Sequence, residues 1–233
     1  MAAMAHDGWE MTLAIATDGD RGSMDPQANR HLIATTRREE ARCAAQIIGL
    51  ARVIFLGYED GELYRATELR ADITRLYRMY QPTRILTFDP WKRYELHPDH
   101  RAIGTAALDA RLASRLPHFH SEQLRDGLKT WTPSEILLFN TDNADFFVDI
   151  SATFGTKLQA VWAHTSQWEH IWDEACGGMK REAEATGERA GYTLAEGFKR
   201  IHVPLGPVSA DWEETRRSEE LDHAGCQDTD DSV

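Results

Sequence analysis

Cysteine is scarce in this chain, and long apolar runs are missing. Only Cys43, Cys176 and Cys226 occur among 233 residues. They stand too far apart for a disulfide framework or a CxxC metal knuckle, so a reducing cytoplasm is the expected setting. No apolar stretch has the length needed to cross a bilayer. Residues 1–10 lack a basic region followed by an apolar one, so no secretory signal is expected in them. Positive charge is outweighed, with 26 Lys and Arg against 38 Asp and Glu and a net charge of −12. That balance argues against nucleic-acid backbones and anionic membrane surfaces as partners. No Walker loop, Gly-rich dinucleotide loop or Ser-centred nucleophile elbow follows any visible strand, which argues against the common nucleotide-binding and serine-hydrolase readings.

What remains is a chain with 42% hydrophobic residues, enough for a packed core. Short apolar runs at 11–16, 53–56 and 84–87 read as buried strands. Each is followed by a polar loop and then by a segment of helical periodicity, at 29–50, 69–80 and 98–110. Strand–loop–helix units in succession predict a parallel sheet with right-handed crossovers. Residues 114–134 read as an irregular, mobile surface loop around His118-Phe119-His120. Residues 135–140 and 146–149 read as a hairpin-like strand pair. A helix capped by Ser151 follows, with Trp162, Trp168 and Trp172 as packing residues. Residues 180–197 read as a charged helix and 200–203 as a last strand. From 209 to 233 the chain is acidic and poor in apolar residues, the pattern of a flexible tail.

The richest chemistry lies at Tyr94-Glu95-Leu96-His97-Pro98-Asp99-His100. Pro98 suits the first position of a helix, so two histidines and an aspartate fall at a strand-to-helix crossover, where open α/β sheets bind ligands. A helix N-terminus favours neutral imidazole, the form that binds metal. Asp99 lies between the two rings and is placed to orient one of them. A polar-capped helix start with a solvated histidine explains the same residues. With no nucleophile motif elsewhere, metal-assisted hydrolysis or ligand binding has the most support.

Further segments carry a resemblance. They are Thr17-Asp18-Gly19-Asp20-Arg21-Gly22, Arg37-x-x-Glu40 with Ile48-Gly49, and Leu56-Gly57-Tyr58-Glu59-Asp60-Gly61. Thr87-Phe88-Asp89-Pro90 follows, then His97-Pro98-Asp99-His100-Arg101-Ala102-Ile103-Gly104. The last are Val148-Asp149-Ile150-Ser151 with Lys157, His164 and Ser166-Gln167, and Ala195-Glu196-Gly197-Phe198. In this order, over residues 8–205, the chain resembles the LmbE/PIG-L family of zinc-dependent N-deacetylases. The resemblance implies a Rossmann-like α/β fold, a mostly parallel sheet flanked by helices, over residues 1–208 and followed by the tail 209–233. It implies hydrolysis of an acetamide on an N-acetylglucosamine-type small molecule, with Zn2+ as cofactor. His100 matches a zinc ligand. His97 matches the group that stabilises or protonates the tetrahedral intermediate, and Asp99 stands beside it. Arg37 matches a substrate-binding position, as does Tyr94 at a spacing to His97 one residue longer than in the family. Homo-oligomer formation is left open.

One departure bears on all of this. Family members begin with a strand ending in Ala-His-Pro-Asp-Asp-Glu, which supplies the other zinc ligands and the general base. His6-Asp7 is only an echo of it, and residues 1–10 read as the end of the helix that follows that strand. The expected fold therefore lacks its first strand, and activity of the chain is expected to be impaired. The open sheet edge is expected to invite pairing or aggregation. The rival reading is a non-catalytic relative that binds a sugar or sugar-phosphate. A nucleotide-binding Rossmann domain and a scaffold acting through the acidic tail have less support.

Overall fold

The computed structural model describes residues 1–202. The tail 209–233, the boundary at 208 and residue 203 of the expected last strand lie outside the described residues. In chain order the elements are α1 Ala2–His6, β1 Thr12–Thr17, α2 Arg30–Ile48, β2 Arg52–Tyr58, α3 Leu69–Tyr80, β3 Arg84–Phe88 and α4 Pro98–Arg115. There follow α5 Ser121–Arg125, β4 Glu135–Phe139, β5 Phe146–Asp149, α6 Phe154–Trp162, α7 Thr165–Trp168, α8 Trp172–Ala190 and β6 Ala195–His202. The strand–loop–helix rhythm expected from hydrophobic periodicity is present. Asn29 caps α2 by accepting from the backbone N–H of His31 and Leu32 at 3.0 and 3.2 Å, which satisfies two donors that the first helical turn leaves free. No helix among the described residues is long and apolar enough to cross a membrane.

The strands form two sheets. β1 pairs with β2, in parallel. The other sheet has the order β3-β4-β6-β5; β3 and β4 are parallel, and β6 runs antiparallel to both β4 and β5. The architecture is thus a mixed α/β sheet system flanked by helices. Both sheets share one core, in which Ala16 of β1, Ile85 of β3 and Ile136 and Leu138 of β4 pack against Leu69, Ile73 and Tyr77 of α3 and Ala106 and Ala110 of α4. Among the described residues, no partner strand lies on the side of β1 away from β2 or on the side of β3 away from β4.

That open edge corrects one expectation. Residues 11–16 read as a buried strand, yet Ala14 is exposed and Leu13 and Ile15 are only half-buried. Leu13 and Ile15 instead line an apolar cavity of about 320 Å³ together with Ala41, Ala44 and Ala45 of α2 and Ala160 of α6. Apolar composition signalled burial; Leu13 and Ile15 instead face a cavity left between β1, α2 and α6.

Four further expectations need correction. β4 and β5 do not form a hairpin, because β6 lies between them and pairs with both. Ser151 does not cap α6, which starts at Phe154 after Thr153; its hydroxyl donates to Asp149 at 2.6 Å and accepts from the N–H of Leu194 at 3.1 Å. The charged helix does not extend to 197 but ends at Ala190 with Gly191 in the left-handed conformation, and residues 195–202 are strand. Gly187 permits that reversal, since a Cβ there would sit 2.6 Å from the carbonyl oxygen of Tyr192. The segment 114–134 is tethered rather than loose. Arg78 is 1% exposed, and its guanidinium donates to the carbonyls of Ala113, Ser114, Leu116, Phe119 and His120 and to the side chain of Gln123. One buried cation thus satisfies carbonyls that would otherwise be orphaned where α4 ends.

The two-sheet arrangement predicts a gradient of backbone protection. Hydrogen–deuterium exchange is expected to be slowest in β4 and β6, which are paired on both sides, and near loop rates for the β1 amides that face away from β2. Equal protection of β1 and β4 would show that the open edge is covered.

Candidate active site

The carboxyl end of β3 builds the site. The backbone N–H of Asp89 continues the ladder by donating to the carbonyl of Phe139 at 3.0 Å. The buried carboxylate of Asp89 accepts from the N–H of Trp91 at 2.9 Å and from the Thr141 hydroxyl at 2.6 Å, which sets the turn out of the strand. The chain then enters α4 with His97 as N-cap and Pro98 in the first turn. One helical turn beyond His100, Gly104 faces the same strand end. A Cβ at that position would lie 2.6 Å from the carbonyl oxygen of Phe88, so only glycine lets α4 approach β3 this closely.

This approach stacks three rings. Phe88 lies on His100 with centroids 3.9 Å apart and planes at 13°, and His100 lies on His97 at 4.4 Å and 16°. The two imidazoles are oriented in complementary ways. The Nδ1 of His97 accepts from the N–H of Asp99 at 3.2 Å, so a neutral His97 carries its proton on Nε2 and presents a donor. The Nδ1 of His100 is buried and lies 3.5 Å from Oε1 of Glu95. A carboxylate beside Nδ1 favours a proton there and leaves Nε2 of His100 with a lone pair. Burial, and after it the neighbouring His97 ring, hold His100 below its ordinary pKa, with Glu95 opposing. Near neutrality His100 is therefore an uncharged base or ligand.

Glu95, which sequence reasoning passed over, organises the pair. Oε1 accepts from the N–H of His97 at 3.0 Å and Oε2 from the side-chain amide of Asn140 at 2.9 Å, and Arg101 donates to its carbonyl. The N–H of His97 holds the Glu95 carboxyl below the usual carboxylate range. Its position two residues before His97 was the available signal. Asp99 is 4% exposed and accepts from the N–H groups of Gly61 at 2.7 Å and Leu63 at 3.1 Å. Its contact with His97 is through its own backbone N–H, while its carboxylate ties the loop after β2 to the start of α4.

The structure thus brings His97, Asp99 and His100 together, with Glu95. Tyr94 precedes them with a side chain 87% exposed. Arg37 lies in a separate network, donating to the carbonyls of Gly19 and Gly22 in the loop after β1. That loop and the one after β2 border a polar cleft of about 370 Å³ lined by Asp18, Asp20, Arg30, His31, Tyr58 and Glu59. The matched residues of α2 and α7 meet through Glu40, which accepts from both hydroxyls of Thr165 and Ser166 and from the N–H of Ser166. Beside them His164 buries an unpartnered Nδ1. Among the described residues no three His, Cys, Asp or Glu side chains converge as a metal site would require.

An α/β fold with paired imidazoles at a strand's carboxyl end offers groups suited to moving protons in a hydrolysis, and comparison with known proteins identifies the family. Residues 1–111 match the family model PIG-L, GlcNAc-PI de-N-acetylase. Diacetylchitobiose deacetylase of Thermococcus kodakarensis is 32% identical over 197 residues, 84% of this chain and 74% of that protein. A probable N-acetyl-alpha-D-glucosaminyl L-malate deacetylase of Bacillus cereus is 29% identical over 78% of this chain and 82% of its own length. The solved structure of N,N'-diacetylchitobiose deacetylase from Pyrococcus horikoshii superposes with a TM-score of 0.82 at 32% identity, covering 89% of this chain and 80% of that one. The chain belongs to the PIG-L family of N-deacetylase hydrolases, the family that its motifs resemble.

Two outcomes test the geometry. Gly104→Ala must push α4 off the Phe88 carbonyl. It is expected to destabilise the protein by about 1–3 kcal/mol, measured by urea denaturation, and unchanged stability would refute the close approach. The pKa of His164 is lowered by burial first, with Arg37 adding and Glu40 opposing. The unfolded chain then binds more protons at this residue just below its ordinary pKa of about 6.5, so stability is full above that pH and falls as the pH drops below it. Denaturation at pH 7.5 and 5.5 is expected to show this loss in the wild type and a smaller one in His164→Gln.

Proposed function

We propose that this chain acts on the N-acetyl group of a small acetamido sugar of the N-acetylglucosamine type, releasing acetate and the free amine. The observation that carries the reading is the oriented pair of imidazoles at the carboxyl end of β3. Hydrolysis adds water to the amide carbonyl, places negative charge on its oxygen, and then breaks the C–N bond with a proton going to the nitrogen. The Nε2–H of His97 is the donor suited to the developing oxyanion. The lone pair on Nε2 of His100 is suited to hold a metal or accept a proton. Asp99 and Glu95 keep the two rings in these roles. Arg37 and Tyr94 remain the substrate-binding candidates, Arg37 by shaping the loop after β1 and Tyr94 by an exposed ring. The free thiols of Cys43 and Cys176 support a reducing, cytoplasmic setting.

Zinc belongs to the family reading, and the donor set falls short of it. A catalytic zinc takes about three protein ligands and keeps a position for water. Among the described residues His100 offers one free lone pair, and His97 has committed its Nδ1. Impaired turnover is therefore expected. The same shortage favours a second reading, a relative that binds the sugar without hydrolysing it.

Acetate and amine release from N-acetylglucosamine and N,N'-diacetylchitobiose separates the two. Slow release is expected from the wild type, with a fall of about 10²–10³-fold in His97→Ala and a comparable loss in His100→Ala. Saturable sugar binding without any acetate would establish the binding reading in its place.

A further inference from the structure

We propose that Asn140, the first residue after β4, is a positioning residue for the imidazole pair: its amide holds the Glu95 carboxylate where that carboxylate can orient His97 and His100. The proposal rests on the reading of those two rings as the reacting groups, and it assigns part of their geometry to the loop of another strand.

Phe139 is the last residue of β4, and its carbonyl accepts from the N–H of Asp89 at 3.0 Å, one step beyond the end of β3. The loops that leave the two strands therefore start side by side, and three successive residues of one grip the other. Asn140 bonds to Lys92 and Glu95. The Thr141 hydroxyl donates to Asp89 at 2.6 Å. The Asp142 carboxylate accepts from the N–H of Arg93 at 2.9 Å. Of the three, Asn140 is the one bonded to the carboxylate that touches the histidines. The chemistry of its partners fixes which way its amide points. An ammonium only donates and a carboxylate only accepts. Lys92 therefore takes Oδ1 of Asn140, and the Nδ2–H is left for Oε2 of Glu95 at 2.9 Å.

The two oxygens of Glu95 thus have separate duties. Oε2 is held by Asn140, while Oε1 accepts from the N–H of His97 at 3.0 Å and lies 3.5 Å from Nδ1 of His100. The terminal torsion of a glutamate is soft, so a carboxylate released from Asn140 can turn and leave Nδ1 of His100 without its acceptor. The backbone supports the same assignment. Asn140 has φ 55°, the left-handed region where glycine costs least and asparagine is the residue that most readily replaces it. Glycine would serve a bare turn; asparagine makes the same turn and adds an amide. Asn140 is exposed, and substitution at an exposed site changes stability little, so an effect on the rings can be read apart from folding.

Two variants of the full chain test this. Asn140→Gly keeps the turn and removes the amide; Asn140→Asp keeps the shape and sets an acceptor against Glu95. Long-range proton–nitrogen correlation spectra of the imidazoles, recorded near neutral pH without added metal, report which ring nitrogen carries the proton. The wild type is expected to hold the His100 proton on Nδ1, and both variants to show a mixture of the two tautomers. In acetate release from N-acetylglucosamine, both variants are expected to lose about tenfold in kcat at unchanged KM. The thermal midpoint of Asn140→Gly is expected to stay close to that of the wild type. An unchanged His100 tautomer in both variants overturns the proposal, as does a loss confined to KM. A large fall in the thermal midpoint of both variants makes Asn140 a residue of the fold alone and also overturns it. A wild type that releases no acetate overturns the hydrolytic reading by itself, and the ring spectra still decide the role of Asn140.

Discussion

Helix α4 lies against the carboxyl end of β3 because position 104 has no side chain, and the site inherits its geometry from that contact. With the Phe88 carbonyl 2.6 Å from where a Cβ would be, the first turn of the helix is held directly over the Phe88 ring. His100 is stacked there, and His97 on His100. Two carboxylates complete the arrangement, the buried Asp99 in the first turn of the helix and the partly buried Glu95 just before it. Asp99 fastens the helix start to the loop after β2, and Glu95 fastens the preceding turn to His97 and Asn140. Dense packing transmits such constraints, so the orientation of each imidazole is decided several residues away from it.

This accounts for the different free nitrogens of two histidines of the same chemical type. His97 gives its Nδ1 to a backbone N–H and keeps Nε2–H as a donor. His100 has a carboxylate beside Nδ1 and keeps a lone pair on Nε2. Burial then keeps His100 uncharged near neutrality. A donor and an acceptor side by side suit the addition of water to an amide, where charge grows on one atom while a proton is moved at another. The same two rings are too few for a hydrolytic metal centre.

The open edges of β1 and β3 belong to the same picture. Both strands contribute to one core with α3 and α4, yet among the described residues they lie in separate sheets, and Leu13 and Ile15 of β1 face a cavity. The ends of these strands are also the ends that carry the polar loops of the site. Phe88, the last residue of β3, stacks on His100, so the open edge of β3 ends beside the imidazole pair.

Much of this was legible in the order of residues. Apolar periodicity located β1, β2, β3 and the helices after them, since period and length distinguish buried strands from amphipathic helices. Pro98 after a histidine marked the start of α4, and the succession of motifs marked the family. Other features depended on distant partners. Glu95 matters because Asn140 and His97 converge on it. Arg78 reads as a surface arginine until six acceptors from the end of α4 and the segment after it surround it. The insertion of β6 between β4 and β5 follows from pairings such as Phe146 with Phe198 and Glu135 with His202, far apart in sequence, which no local signal encodes. Residue types and their spacing determined which groups could do chemistry here. Tertiary structure decided which nitrogen of each imidazole is free to do it, because hydrogen bonds to the far side of a ring are made by whatever the fold brings there.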